Sequence, residues 1–265
     1  MALSSLGING REFPDWPVEK ICDLAVQLEA QFVELALSRI AEEGIANVQT
    51  GFASRKLMLH VNCATSELAN AMRAARELSS PVIIVFDDAI ERVDLSRAKS
   101  LEAFRRTVID LLEQPGNAGI RIAMENSIIR MTRQPEDLMA IVTAVSHPRF
   151  GVNYDPDNYY NAGVEGFPYA YELVRLHILH MHAKDSARWI PHIHGEAKRV
   201  LHRAGGNVVC VPLGSGAVNW AGLAGRLLAD GYRGPISLEP HNLPEEMAPG
   251  MVADAAYLRR IGLVN

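Results

Sequence analysis

The sequence predicts an α/β fold, a (β/α)8 TIM barrel forming a single domain over residues 1–265. Three observations predict it. Eight apolar runs of strand length alternate with stretches of helical periodicity. No composition break or low-complexity segment suggests a linker. Ionisable residues recur at the C-terminal ends of the later strands, always at the same parity. Eight strand–helix rounds in 265 residues fit a closed barrel. The rival is a doubly wound open sheet. It more often carries a Gly-rich phosphate loop after its first strand, and "GINGREFPDWP" at 7–17 is a poor one.

The strands read, in order, as "LSSLGIN" (3–9), "QFVELAL" (31–37), "LMLHVN" (57–62), "VIIVFD" (82–87), "IRIAMEN" (120–126), "FGVNYD" (150–155), "ILHMHAKD" (178–185) and "PISLEPH" (235–241). Between the fourth and fifth, Leu101, Phe104, Val108, Leu111 and Leu112 share one helical face, and Pro115-Gly116 ends the helix. Before the sixth, Pro135 opens a helix whose apolar stripe is Leu138, Ile141, Val142 and Val145.

Successive side chains of a strand face opposite ways. In the third strand His60 and Asn62 oppose Leu59 and Val61. In the fifth, Ile120, Ile122 and Met124 oppose Arg121, Ala123 and Glu125. In the sixth, Phe150, Val152 and Tyr154 oppose Gly151, Asn153 and Asp155. In the seventh, Leu179, Met181 and Ala183 oppose His180 and His182, and in the eighth Ile236 and Leu238 oppose Ser237, Glu239 and His241. The apolar faces belong under the helices, so the polar faces look into the barrel. Glu125, Asp155, His182 and Glu239 then converge at the C-terminal mouth, where barrel enzymes keep their chemistry.

A strand-end carboxylate is ordinarily a helix cap or an ion-pair partner. Three of them together cannot all stay ionised without a compensating cation. One divalent metal ion bound by Glu125, Asp155, His182 and Glu239 resolves the conflict. Oxygen ligands with one imidazole favour manganese, with magnesium, cobalt and zinc as alternatives. His60 and Lys184 are candidate substrate contacts. Their plainer readings are a core histidine bonded to backbone and a lysine paired with a carboxylate. His180 lies one layer deeper and is placed behind the ligands, orienting one of them. Phe13 and Trp16 of "FPDWP" offer an apolar wall for a substrate, or else pack the rim.

Composition excludes other classes. A formal charge of −5 gives no electrostatic reason to bind nucleic acid or an anionic membrane. No apolar run approaches the ~20 residues of a membrane span, and "MALSSLGINGREFPDWP" has no signal-peptide pattern. Cys22, Cys63 and Cys210 are widely spaced and read as reduced thiols, which points to a cytoplasmic protein. The segment 186–218 after the seventh strand is long and holds Arg188, Trp189, His192, His194, Lys198, Arg199, His202 and Arg203. It is a candidate lid. Oligomeric state is left open, with a homo-oligomer allowed.

At this point the chain resembles a known group. "MENS", "NYDPDN", "HMHAKD", "PLGSGAVNW" and "ISLEPH" occur in the order seen in the xylose isomerase-like barrel superfamily, and most resemble its sugar phosphate isomerase/epimerase members. The resemblance implies metal ligands at Glu125, Asp155, His182 and Glu239, the same four that parity selects. It implies that the two glutamates form an acid/base pair, and that Arg188 contacts substrate. Two positions depart from the pattern. Asn158 stands where several relatives have histidine, which disfavours a multi-metal nuclease and makes Asn158 a residue behind the ligands. Ser215 stands where relatives commonly carry glutamate. The expected function is metal-dependent isomerisation or epimerisation of a small sugar, sugar phosphate or keto-polyol through an enediolate. A dehydratase or lyase acting on a keto-polyol or keto-sugar is the alternative, and a nuclease for abasic DNA ranks below both.

Overall fold

A computed structural model of the chain describes residues 3–87, 98–194, 200–203 and 206–265. Eight parallel strands close into a barrel: β1 (Leu6–Asn9), β2 (Phe32–Ala36), β3 (Met58–Ala64), β4 (Val82–Phe86), β5 (Arg121–Glu125), β6 (Phe150–Tyr154), β7 (Ile178–Ala183) and, after three strands outside the ring, β11 (Ile236–Leu238). Neighbours follow chain order, and β1 pairs with β11 to seal the ring. The predicted helices form at Ala98–Glu113 and Pro135–Val145, the latter with proline in its first turn. Among the described residues no helix is long and apolar enough to cross a membrane.

The apolar sides of the strands pack under the helices. Ile122, Met124, Val152, Tyr154, Met181, Ile236 and Leu238 are all fully buried there. The interior is layered. A small apolar floor of Val82, Ile84 and Ala123 lies at the bottom, with Leu179 packed against it. That corrects the strand parity, which put Leu179 on the helix side with Met181 and Ala183. The β6–β7 register shifts between Val152 and Asn153, and such an irregularity re-aims a side chain. Gly151 leaves the room: a Cβ there would lie 2.8 Å from Leu179 Cγ and 2.3 Å from the His177 carbonyl oxygen.

The long connection after β7 is not only loop. β8 (Asp185–Arg188), β9 (Val200–Arg203) and β10 (Gly206–Val211) form an antiparallel sheet in the order β8-β10-β9. Parts of the expected lid, including Lys198 and Arg199, lie outside the described residues. The chain returning from this sheet is clamped by one side chain. The buried Asp185 carboxylate accepts from the backbone N–H groups of Ser186, Gly214, Gly216 and Val218 at 3.0–3.1 Å. At Gly216 a Cβ would sit 2.2 Å from Asp185 Oδ1, so the clamp requires glycine there.

Candidate metal centre

Glu125, Asp155, His182 and Glu239 meet at the mouth, each offering one ligand atom within 4.8 Å of the others. All four are buried. His182 Nδ1 lies 3.1 Å from Glu125 Oε1, 3.1 Å from Glu239 Oε2 and 4.0 Å from Asp155 Oδ2.

Neighbouring groups aim these donors. Asp155 follows β6 and caps the helix Pro156–Ala162, its Oδ1 accepting from the N–H groups of Asp157 and Asn158 at 3.0 and 2.9 Å. That leaves Oδ2 for the cluster. Glu239 Oε1 accepts from Asn9 Nδ2 at 2.7 Å, so the first strand of the ring fixes a residue of the last. Asn158 Nδ2 donates to Glu125 Oε1 at 3.1 Å and to the Asn126 carbonyl at 2.9 Å. Asn126 in turn pairs with the Asp155 backbone in both directions, at 2.8 and 2.9 Å.

A cationic side chain already stands among the carboxylates. Lys184 is 2% exposed, and its Nζ is 2.7 Å from both Asp155 Oδ2 and Glu239 Oε2. It also lies 3.3 Å from His241 Nε2. Burial alone would push the Lys184 ammonium and the His182 imidazolium down. The carboxylates around them outweigh it and hold both well above their usual ranges. Burial would raise Glu239, but His182 and Lys184 hold it well below the usual carboxylate range. Asp155 is raised, because burial outweighs the pull of Lys184.

The donor set fits a divalent ion. Asp155 Oδ2 is buried and aimed at the cluster, where the Lys184 ammonium at 2.7 Å is its contact. The 3.1 Å separations from His182 Nδ1 match the roughly 3 Å edge of an octahedron with metal–oxygen bonds of about 2.1 Å. Three carboxylates and one imidazole suit manganese or magnesium. Beside the cluster opens a cavity of about 350 Å³ whose wall includes Arg11, Phe86, Arg130, Glu125, Glu239 and His241. A second cavity of about 340 Å³ shares Arg11 and His241 with it and is walled by Phe13 and Trp16.

The sequence profile of the family described as xylose isomerase-like TIM barrel matches residues 2–261. The chain belongs to the xylose isomerase-like TIM barrel family. Solved structures share the barrel at low identity. One is a xylose isomerase-like TIM barrel protein from Mycobacterium smegmatis in complex with magnesium, 15% identical over 99% of this chain and 97% of that one, TM-score 0.73. Another is D-psicose 3-epimerase from Clostridium cellulolyticum H10 with D-tagatose, 13% identical over 98% and 100%, TM-score 0.72. A third, from Bacillus anthracis, is described as the "probable 3-DHS dehydratase" of petrobactin synthesis. It is 13% identical over 96% and 98%, TM-score 0.72. At such identities the likeness shows the fold alone. No curated protein matches the chain.

On this family barrel the remaining candidate residues separate by depth. Trp16 is half-buried, its ring tilted 33° against Phe13 at 4.5 Å, with Lys20 Nζ 3.6 Å from its ring. It reaches the side cavity, not the carboxylate cluster. Arg188 is exposed at the end of β8, opposite Val208, and among the described residues it bonds to none of the four candidate ligands. His60 lies below the mouth, 2% exposed, stacked on Phe32 at 4.0 Å and 3.3 Å from His180 Nε2. Burial and then Arg121 push His60 down to about 3, and burial pushes His180 well down, so both rings are neutral. His180 Nδ1 meets Asn153 Oδ1 at 3.0 Å, and Asn153 Nδ2 lies 3.3 Å from His182.

Sequence reasoning missed Glu34, Asn9, Asn126 and, as a mouth residue, His241. Glu34 had a signal: it is the lone charge in the apolar run "QFVELAL". Asn9 and Asn126 end strands at the parity of the ligands or beside them, but a strand-end asparagine is common enough to pass as a cap.

Proposed function

We propose that this chain catalyses divalent-metal-dependent isomerisation or epimerisation of a small sugar or keto-polyol, with Glu125 and Glu239 as the proton-transfer pair. The observation that carries it is their placement. Each lies 3.1 Å from the same nitrogen of His182, and both line the open cavity at the mouth. Glu125, Asp155, His182 and Glu239 would hold the ion, which when bound supplies Lewis-acid stabilisation of a developing oxyanion. The chain's own residues do the rest. One glutamate removes the proton from the carbon beside the substrate carbonyl, giving an enediolate. The other returns a proton at the neighbouring carbon or on the opposite face. Asn158 and Asn9 hold the two carboxylates at set angles. The Lys184 ammonium and His241 stand at the cavity wall, within reach of substrate oxygens. Arg11 and Arg130 on the same wall suit an anionic substituent such as a phosphate.

Loss of a β-hydroxyl from the same enediolate would make the protein a dehydratase, and a solved structure described as a probable dehydratase shares this fold. Product mass separates the two outcomes. The test is a panel of ketoses, their phosphates and keto-polyols in deuterated water with Mn²⁺ present. Deuterium at the carbon beside the carbonyl is expected. Glu125→Gln should lose that exchange by ~100-fold or more while the barrel stays folded. Turnover of an identified substrate by this variant at the parent rate would reduce Glu125 to a ligand.

A further inference from the structure

Glu34 is a carboxylate with no exposure, projecting from β2 into the barrel. A buried charge is costly unless a partner compensates it. Its Oε2 lies 3.2 Å from His182 Nε2, and its Oε1 lies 3.3 Å from His180 Nε2 without making a hydrogen bond. His182 therefore sits edge-on between two carboxylate layers, with Nδ1 facing Glu125 and Glu239 above and Nε2 facing Glu34 below.

We propose that Glu34 is a positioning residue for the cation site, accepting the Nε2 proton of His182 and so presenting the Nδ1 lone pair to the ion. The role rests on the metal-site reading above. A ligating imidazole is neutral, so when Nδ1 binds the ion its single proton is on Nε2 and needs an acceptor. The other group near Nε2 is Asn153 Nδ2 at 3.3 Å, a donor, which cannot take that proton. Glu34 Oε2 can. The neighbouring imidazole does not compete for Glu34. His180 gives its Nδ1 proton to Asn153 Oδ1 at 3.0 Å, and its Nε2 accepts from His60 Nδ1 at 3.3 Å. The charge of Glu34 is thus directed at His182, which makes the ring a stronger donor to whatever binds Nδ1. His60, His180 and Asn153 bond to one another and leave that charge to His182.

The test uses the full chain stripped with a chelator and titrated with Mn²⁺ by calorimetry. Glu34→Gln, which keeps the shape and removes the charge, should weaken Mn²⁺ binding by about 10–100-fold, the usual cost of losing such a partner. Glu34→Asp, which keeps the charge, should retain more affinity than Glu34→Gln. A purely structural role would shift the unfolding midpoint of both variants without ordering their affinities in this way. A second readout needs no variant of Glu34. In the Zn²⁺-loaded parent with ¹⁵N-labelled histidine, and His182 assigned by its loss in His182→Ala, Nε2 should carry the proton and Nδ1 should not. Undiminished Mn²⁺ affinity in Glu34→Gln, or a proton on Nδ1 in the loaded parent, overturns the role of Glu34 alone. A parent that binds no divalent ion overturns the metal-site reading, and this role with it.

Discussion

Lys184 already occupies the candidate cation site with a positive charge. Its ammonium touches the same two carboxylate oxygens, Asp155 Oδ2 and Glu239 Oε2, that the ion would use. Replacing it by an uncharged side chain removes both a competitor for those oxygens and a like charge beside the ion. Lys184→Met should bind Mn²⁺ at least about tenfold more tightly than the parent, the effect of roughly 1.4 kcal/mol. It should also unfold earlier when metal-free, because the buried carboxylates lose their partner. Calorimetric titration and chelator-treated melting curves read the two effects separately, and weaker Mn²⁺ binding would contradict the first. At this scale much of the cluster was legible in the sequence. Parity places Glu125, Asp155, His182 and Glu239 on one face because a strand alternates strictly. The same rule reaches Glu34 and Asn9 only when it is applied to strands that look uniformly apolar. It puts Lys184 on the face of His180 and His182, and pairing with a carboxylate is one reading of it, but its place between two of them depends on how a long side chain turns at the end of β7.

Among the elements, the join between the last helix and the β10 return depends on a group that titrates near neutrality. Asp254, in the helix Pro244–Arg260, is buried and accepts the Leu213 N–H at 2.9 Å. Burial raises it to about 7, opposed by the Leu213 N–H and reinforced by Asp185. The folded-state value exceeds the unfolded one, so between roughly pH 4 and pH 7 the folded chain keeps a proton that the unfolded chain has lost. This group's contribution to stability is fully present below that window and is lost as pH rises through it. Asp254→Asn keeps the acceptor oxygen and removes the charge. Urea unfolding at about pH 5 and about pH 8 should show a smaller gap for the variant than for the parent, with the gain at the higher pH. An unchanged gap would mean that Asp254 ionises as it does in the unfolded chain. The element pattern itself was largely readable, since eight apolar runs became the eight barrel strands. Two features were not. The inward turn of Leu179 follows from a register shift between strands, which composition does not encode. The β8-β10-β9 sheet read as a loop although β10 carries the apolar run "VVCV", because β8 and β9 are only four residues each and largely polar.

For the whole molecule, the expected stoichiometry is one divalent ion per chain. At a free concentration 100 times its Kd an ion adds roughly 2.7 kcal/mol to stability, a rise of about 5–10 °C in the midpoint for a chain of this size. Metal analysis and melting curves with Mn²⁺ and with chelator check both. The double variant Asp155→Ala, His182→Ala should lose the ion and the shift together. Full occupancy in that variant would remove the assignment. The bond between Asn9 and Glu239 spans 230 positions and crosses the seam where β1 meets β11. Until that seam zips, β11 can pair with β7 and bring Glu239 beside Glu125, Asp155 and His182, but the Asn9 amide that steadies Glu239 is missing. On the proposed metal site, the last gain in ion affinity should then report ring closure. In a stopped-flow experiment with a metal-sensitive dye, Asn9→Ala is expected to abolish that last gain while earlier, weaker capture persists.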